Sequence, residues 1–183
     1  MSLNHASKNT ELTDEHFKSI GKIMVEWSNI EFLLGQLLAK LLLTPIYLSR
    51  SYTDNLGASR IQDTIIEAVS IHKQRYGSTI IDESKLNEIL NINSKVVELR
   101  AKRNKFAHFC WMIGTDDEIF GTNFSGGAPD SKKGRRSSVT YSNVELESSY
   151  MEAYDLVEEL SKILNSLPEM KEEGIKSKLS GCE

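Results

Sequence analysis

Cysteine is scarce in this chain, with only Cys110 and Cys182 among 183 residues. That excludes a disulfide framework and fits a reducing compartment. Long apolar runs are missing too. The longest, from Phe32 to Leu43, is interrupted by Gly35, Gln36 and Lys40 and is too short to span a bilayer. No apolar signal core stands at the N-terminus. The expectation is a cytoplasmic protein with no membrane partner.

Basic charge is not in excess either. The net charge is −4, so the chain is not a bulk nucleic-acid binder, and any RNA contact has to come from a local basic patch. There is no His-Glu-x-x-His, no Cys-x-x-Cys and no P-loop, which leaves zinc hydrolases and nucleotide triphosphatases without support. Gly121, Gly126 and Gly127 lack the strand–turn–helix setting of a phosphate cradle. The carboxylate pairs Glu158-Glu159 and Glu172-Glu173 read as a solvated face and a tail. Neither a metal site nor a cofactor is expected.

What is present is helical periodicity. At this length one domain with a real hydrophobic core is expected. Residues 1–12 are polar and aperiodic, an N-terminal tail. Thr13, followed by Asp14 and Glu15, reads as a helix start. From Phe17 through Trp27 and Leu34 to Leu41, apolar residues recur at three and four, which predicts a long helix over about residues 14–43. Glu31 falls on that stripe and either sits at its wet edge or forms a buried ion pair.

Thr44-Pro45 predicts a short helix over 45–53, broken by Asn55-Leu56-Gly57. Ser59 is a candidate cap for a helix to about Tyr76, closed by Gly77. His72 in it reads as a helix-end histidine near a negative dipole rather than a ligand. Asp82 starts the next helix, with Leu86, Ile89, Leu90, Val96 and Val97 as its buried face and an end near His108.

The composition then changes. Trp111 and Ile113, the turn Gly114-Thr115-Asp116-Asp117, and Ile119-Phe120 predict a small hairpin. Residues 125–138 form a polar loop carrying Lys132, Lys133, Arg135 and Arg136, and Val139-Thr140-Tyr141 suits one more strand. The stripe from Tyr150 to Leu167 predicts a last helix ended by Pro168. A charged tail, 169–183, follows. The fold class is therefore all-α. We expect an up-down bundle of four to five helices over 13–168, with a hairpin and basic loop inserted at 109–145 before the last helix.

One hexad stands out, Arg103-Asn104-Lys105-Phe106-Ala107-His108. With Leu86 as the zero of a helical wheel, Asn104 falls at about 0°, His108 at about +40° and Arg103 at about −100°. Leu90 and Val97 share the sector of Asn104 and His108, so these two polar residues are expected to continue the apolar stripe. There they need a hydrogen-bonded core position, a partner surface or a site.

The hexad, an arginine followed by a polar residue and then a histidine after three more positions, resembles the signature of the HEPN superfamily. The long first helix with Trp27 to Leu34, the late motif helix, the hairpin and the final helix resemble that superfamily's organisation over roughly 14–167. The resemblance implies a small helical bundle, and for many members a metal-independent endoribonuclease acting as a homodimer.

The chemistry is consistent with that. Cleaving RNA with its own 2′-OH requires a base, an acid and cationic stabilisation of the phosphorane. Histidine suits the first two tasks near neutrality, and arginine offers a planar fork to phosphate oxygens. On this reading His108 is the acid/base, Arg103 binds the phosphate, Asn104 positions, and Glu31 is expected to orient Arg103. Arg100, Lys102, Lys105 and the four cations of the 125–138 loop are candidates for RNA contact. Phe109 and Trp111 are candidates for stacking on a base, although a tryptophan at position 111 is more often core. A toxin of this type would also have an antitoxin partner. The alternative is a non-catalytic HEPN-like module that docks a protein or a nucleotide through the same surface, with Arg103, Asn104 and His108 forming a structural polar knot.

Overall fold

A computed structural model describes residues 10–77, 79–115, 117–123 and 137–168. The described chain is mostly helical. In order it contains α1 (Asp14–Leu41), α2 (Ile46–Thr53), α3 (Ala58–Ile71), a π-helical turn (His72–Tyr76), α4 (Glu83–His108), the strands β1 (Cys110–Thr115), β2 (Glu118–Thr122) and β3 (Ser138–Ser142), and α5 (Asn143–Ser166). No single helix among these residues is long and apolar enough to cross a membrane. The basic cluster Lys132, Lys133, Arg135 and Arg136 and the tail from 169 lie outside the described residues.

Two compact units are present. One contains the described residues up to Trp27 and those from Leu99 to Tyr154; the other contains Ser28–Glu98 and the described residues from Asp155 onward. α1, α4 and α5 each contribute a stretch to both.

In the first unit Thr13 caps α1. Its hydroxyl accepts from the His16 backbone N–H at 3.4 Å, while the Thr13 N–H donates to His16 Nδ1 at 3.2 Å. This is a capping box with histidine in the place usually held by glutamate. The core gathers Leu12, Ile23, Phe106, Ile119 and Leu146, with Ile20, Met24, Trp111, Tyr141 and Tyr150 packed against it.

The three strands form an antiparallel sheet in the order β1-β2-β3. Trp111 pairs with Gly121, and Ile119 with Tyr141. Glycine is needed at position 121, because a Cβ there would stand 2.6 Å from the Trp111 ring. After β3 a second capping box opens α5. Ser142 N–H donates to the Glu145 carboxylate at 2.7 Å, and Glu145 N–H donates back to the Ser142 hydroxyl at 3.3 Å. This start precedes the Tyr150 periodicity, so α5 is longer at its N-terminal end than expected.

The second unit is tied by side chains that bond the backbone of neighbouring helices. Lys40 reaches the Leu164 carbonyl at 2.8 Å and so caps the end of α5. His72 is buried, and its Nε2 bonds the Leu41 carbonyl at 2.7 Å. It is indeed a helix-end histidine, though it serves the end of α1. Gln62 and Asn93, both buried, each donate to the other's backbone carbonyl at 3.4 Å and couple α3 to α4.

Two boundaries differ from expectation. α3 begins at Ala58 with Gly57 as N-cap, which places Ser59 inside the first turn instead of at the cap. The five residues that follow it, His72–Tyr76, widen into the π turn, which Gly77 ends at φ +44°. α1 stops at Leu41 because Leu43 turns left-handed at φ 50°, with the Thr44 N–H bonded to the Ala39 carbonyl and the Leu43 N–H to the Lys40 carbonyl. These bonds make a Schellman ending, built on leucine where glycine is usual.

Candidate functional site

The hexad occupies the last two turns of α4, which ends at His108 as expected. Its orientation differs from the wheel. Asn104 and His108 are exposed, and Val97 is 40% exposed. The buried stripe of α4 runs instead through Leu86, Ile89, Ile92, Asn93, Val96, Leu99 and Phe106. Taken on the same wheel, most of that stripe centres at about −80°, which is the sector of Arg103. Leu90 and Val97 had pulled the expected face towards Asn104, and the true face is set by Ile92 and Leu99.

Arg103 is therefore the member of the hexad's polar trio that turns inward. Its guanidinium lies over the Trp27 ring, 5.4 Å from the centroid. Its Nη1 donates to Asn104 Oδ1 at 3.2 Å. Its Nε is buried and has no hydrogen-bond partner among the described residues. Glu31 does not supply one. Glu31 lines a cavity of the second unit, and the described partners of Arg103 are Trp27 and Asn104. Within the first unit an aromatic face and an amide hold the guanidinium.

His108 stands one turn beyond Asn104 on the same exposed side of α4. Among the described residues it has no hydrogen-bond or ion-pair partner. Arg103, Asn104 and His108 form an open edge at the end of one helix, with a cation fixed at one end and an imidazole free at the other.

The flanking residues divide. Lys102 closes an ion pair with Glu152 of α5 within the unit. Lys105 is half-buried, with no ion pair among the described residues. Arg100 is also half-buried. Trp111 is taken by the core. Its ring stacks on Phe106 at 5.5 Å and contacts Tyr141, and its Nε1 donates to the Phe106 carbonyl at 3.2 Å. It therefore braces the end of α4, and the other stacking candidate, Phe109, is half-buried with its centroid 6.1 Å from that of Trp111.

Electrostatically, burial raises the Tyr141 phenol above its ordinary pKa. Lys102 opposes this, and Glu145 and Glu152 add to it. The Glu145 carboxyl is lowered by the Ser142 backbone N–H first and the Ser142 hydroxyl second. Among the described residues no group of three His, Cys, Asp or Glu side chains converges as a metal site would.

Trp27 is the residue that the sequence reading missed as part of this site. It was legible as a member of the α1 stripe, but nothing in spacing links it to an arginine 76 positions later. Comparison with protein-family models, with curated proteins and with solved structures finds no match to this chain.

Proposed function

We propose that this protein is a metal-independent endoribonuclease of HEPN type, an up-down helical bundle that works as a homodimer in the cytoplasm. The observation that carries the reading is the exposed edge at the end of α4, where an arginine held over Trp27, an asparagine bonded to it and an open histidine are adjacent.

One chain supplies one histidine at this edge, whereas the reaction needs both a base and an acid. Two chains meeting across the ends of α4 would supply both. His108 takes the proton of the 2′-OH, and O2′ attacks phosphorus. The P–O5′ bond breaks, and the leaving 5′ oxygen takes a proton from His108 of the partner subunit. Arg103 neutralises the phosphorane, and Asn104 sets the spacing between the guanidinium and the imidazole. The products carry a 2′,3′-cyclic phosphate and a 5′-OH. Exposure of His108 and Asn104 in a single chain suits such a composite site, since a residue meant for a partner's cleft is open before the partner arrives. A toxin or defence role, with an antitoxin that covers this edge, is the setting we infer.

One observation favours a second reading. His108 has no described residue fixing its ring, so the same edge also suits a non-catalytic module that docks a protein or a nucleotide. The test is incubation of the purified protein with a mixed single-stranded RNA and tRNA pool in EDTA, followed by analysis of the ends. Cyclic phosphate ends support the ribonuclease. A folded dimer that leaves the pool intact supports the docking module.

A further inference from the structure

In the second unit a cavity of about 620 Å³ opens where α1, α2 and the start of α3 meet. That is the size of a small-ligand site. We propose that it binds a small organic cation, an ammonium or amidinium group on an aromatic or apolar body.

Its charges are unequally matched. Arg50 is neutralised by Asp54, with Nε 3.3 Å from the carboxylate. Glu31 has no ion-pair or hydrogen-bond partner among the described residues, so its carboxylate is the uncompensated charge in the lining. The Ser49 and Thr53 hydroxyl protons are already committed to α2. Ser49 donates to the Ile46 carbonyl at 2.7 Å and Thr53 to the Ser49 carbonyl at 3.2 Å. Both oxygens keep only acceptor capacity for a further group. With Glu31 uncompensated, a donor-rich cationic head group fits this lining better than an anion does.

The body of the ligand is defined by Phe32 and Tyr47. Both line the cavity and stay 54% and 77% exposed. Aromatic faces beside a carboxylate are a setting in which cations bind through their charge and their carbon skeleton together.

Gly35 supplies the room. It sits one turn after Glu31 in the middle of α1, where glycine weakens a helix. A Cβ there would meet only the Thr53 side chain, at 3.8 Å. No packing constraint demands glycine, and a larger side chain would project into the cavity.

The experiment is calorimetric titration of the full chain with 2-phenylethylamine and with benzamidine, using 3-phenylpropionate as the anionic control. The cations are expected to bind saturably, and the anion at least about tenfold more weakly. Glu31→Gln should weaken cation binding about tenfold, the loss expected for one charge-assisted contact. Gly35→Leu should abolish it with the circular dichroism melt retained. If Gly35→Leu does not fold, Glu31→Gln alone decides. Equal binding of the anion, unchanged binding by Glu31→Gln, or no saturation with either cation overturns the proposal. RNA cleavage by wild type and its His108→Ala control is read separately and bears on none of these outcomes.

Discussion

The guanidinium of Arg103 lies 5.4 Å from the centroid of Trp27, a residue only 1% exposed. The core thus provides a fixed floor for a cation at the rim of α4. Such a contact is worth about 0.5–2 kcal/mol, depending on desolvation. Among the described residues no ion pair cancels the Arg103 charge, which on the proposed reading is left for a phosphate.

The first prediction concerns that floor. Arg103→Lys keeps the charge and loses both the planar fork and the stacking. RNA cleavage should fall about 100-fold, as for removal of one group that stabilises the developing charge. Thermal stability should fall by no more than the worth of that contact, at most about 2 kcal/mol. Rate measurement beside a melting curve checks both parts, and full activity in the Arg103→Lys variant would remove the guanidinium from the mechanism.

The second concerns the opening of α5. Ser142→Ala removes the hydroxyl that accepts from the Glu145 N–H and should cost about 1 kcal/mol in urea unfolding. Its partner Glu145 has a folded pKa below its ordinary value. The contribution of its carboxylate is therefore complete above the unfolded pKa and is lost as pH falls through the folded one. The melting-temperature gap between wild type and Glu145→Gln should be present at neutral pH and close in acid below the usual glutamate range. A gap that widens in acid would contradict the cap.

The third concerns the sheet. Gly121→Ala forces a methyl against the Trp111 ring, where a Cβ would stand 2.6 Å away. Displacing Trp111 disturbs its bond to the Phe106 carbonyl and its stacking on Phe106. Overpacking of this kind should cost about 1–3 kcal/mol. Chemical denaturation reads the loss, and tryptophan fluorescence reads the displaced ring.

Much of the fold was legible because helix periodicity and turn chemistry are local. The Thr13 start, the Pro45 helix, the Gly77 stop and the end of α4 at His108 all follow from neighbours in sequence. The Ser142–Glu145 cap is equally local, but it lies two turns ahead of the apolar stripe from Tyr150 that marks the helix. The face of α4 was misjudged for a different reason. Its buried stripe includes the polar Asn93, whose amide donates to the Gln62 carbonyl, so a wheel weighted by apolarity drifted towards Leu90 and the 40%-exposed Val97. The partners of the site residues were beyond sequence altogether. Trp27 under Arg103 and Glu152 on Lys102 are tertiary pairings, and no spacing rule reports them.

The most direct test of the account is the single-turnover rate of RNA cleavage in EDTA by wild type and His108→Ala. Both are to be shown folded by circular dichroism and dimeric by sedimentation. The account predicts cleavage by wild type to 2′,3′-cyclic phosphate ends, and a loss of about 10²–10⁴-fold in the variant. Cleavage by His108→Ala at the wild-type rate, or an intact RNA pool with folded wild-type dimer, would contradict it.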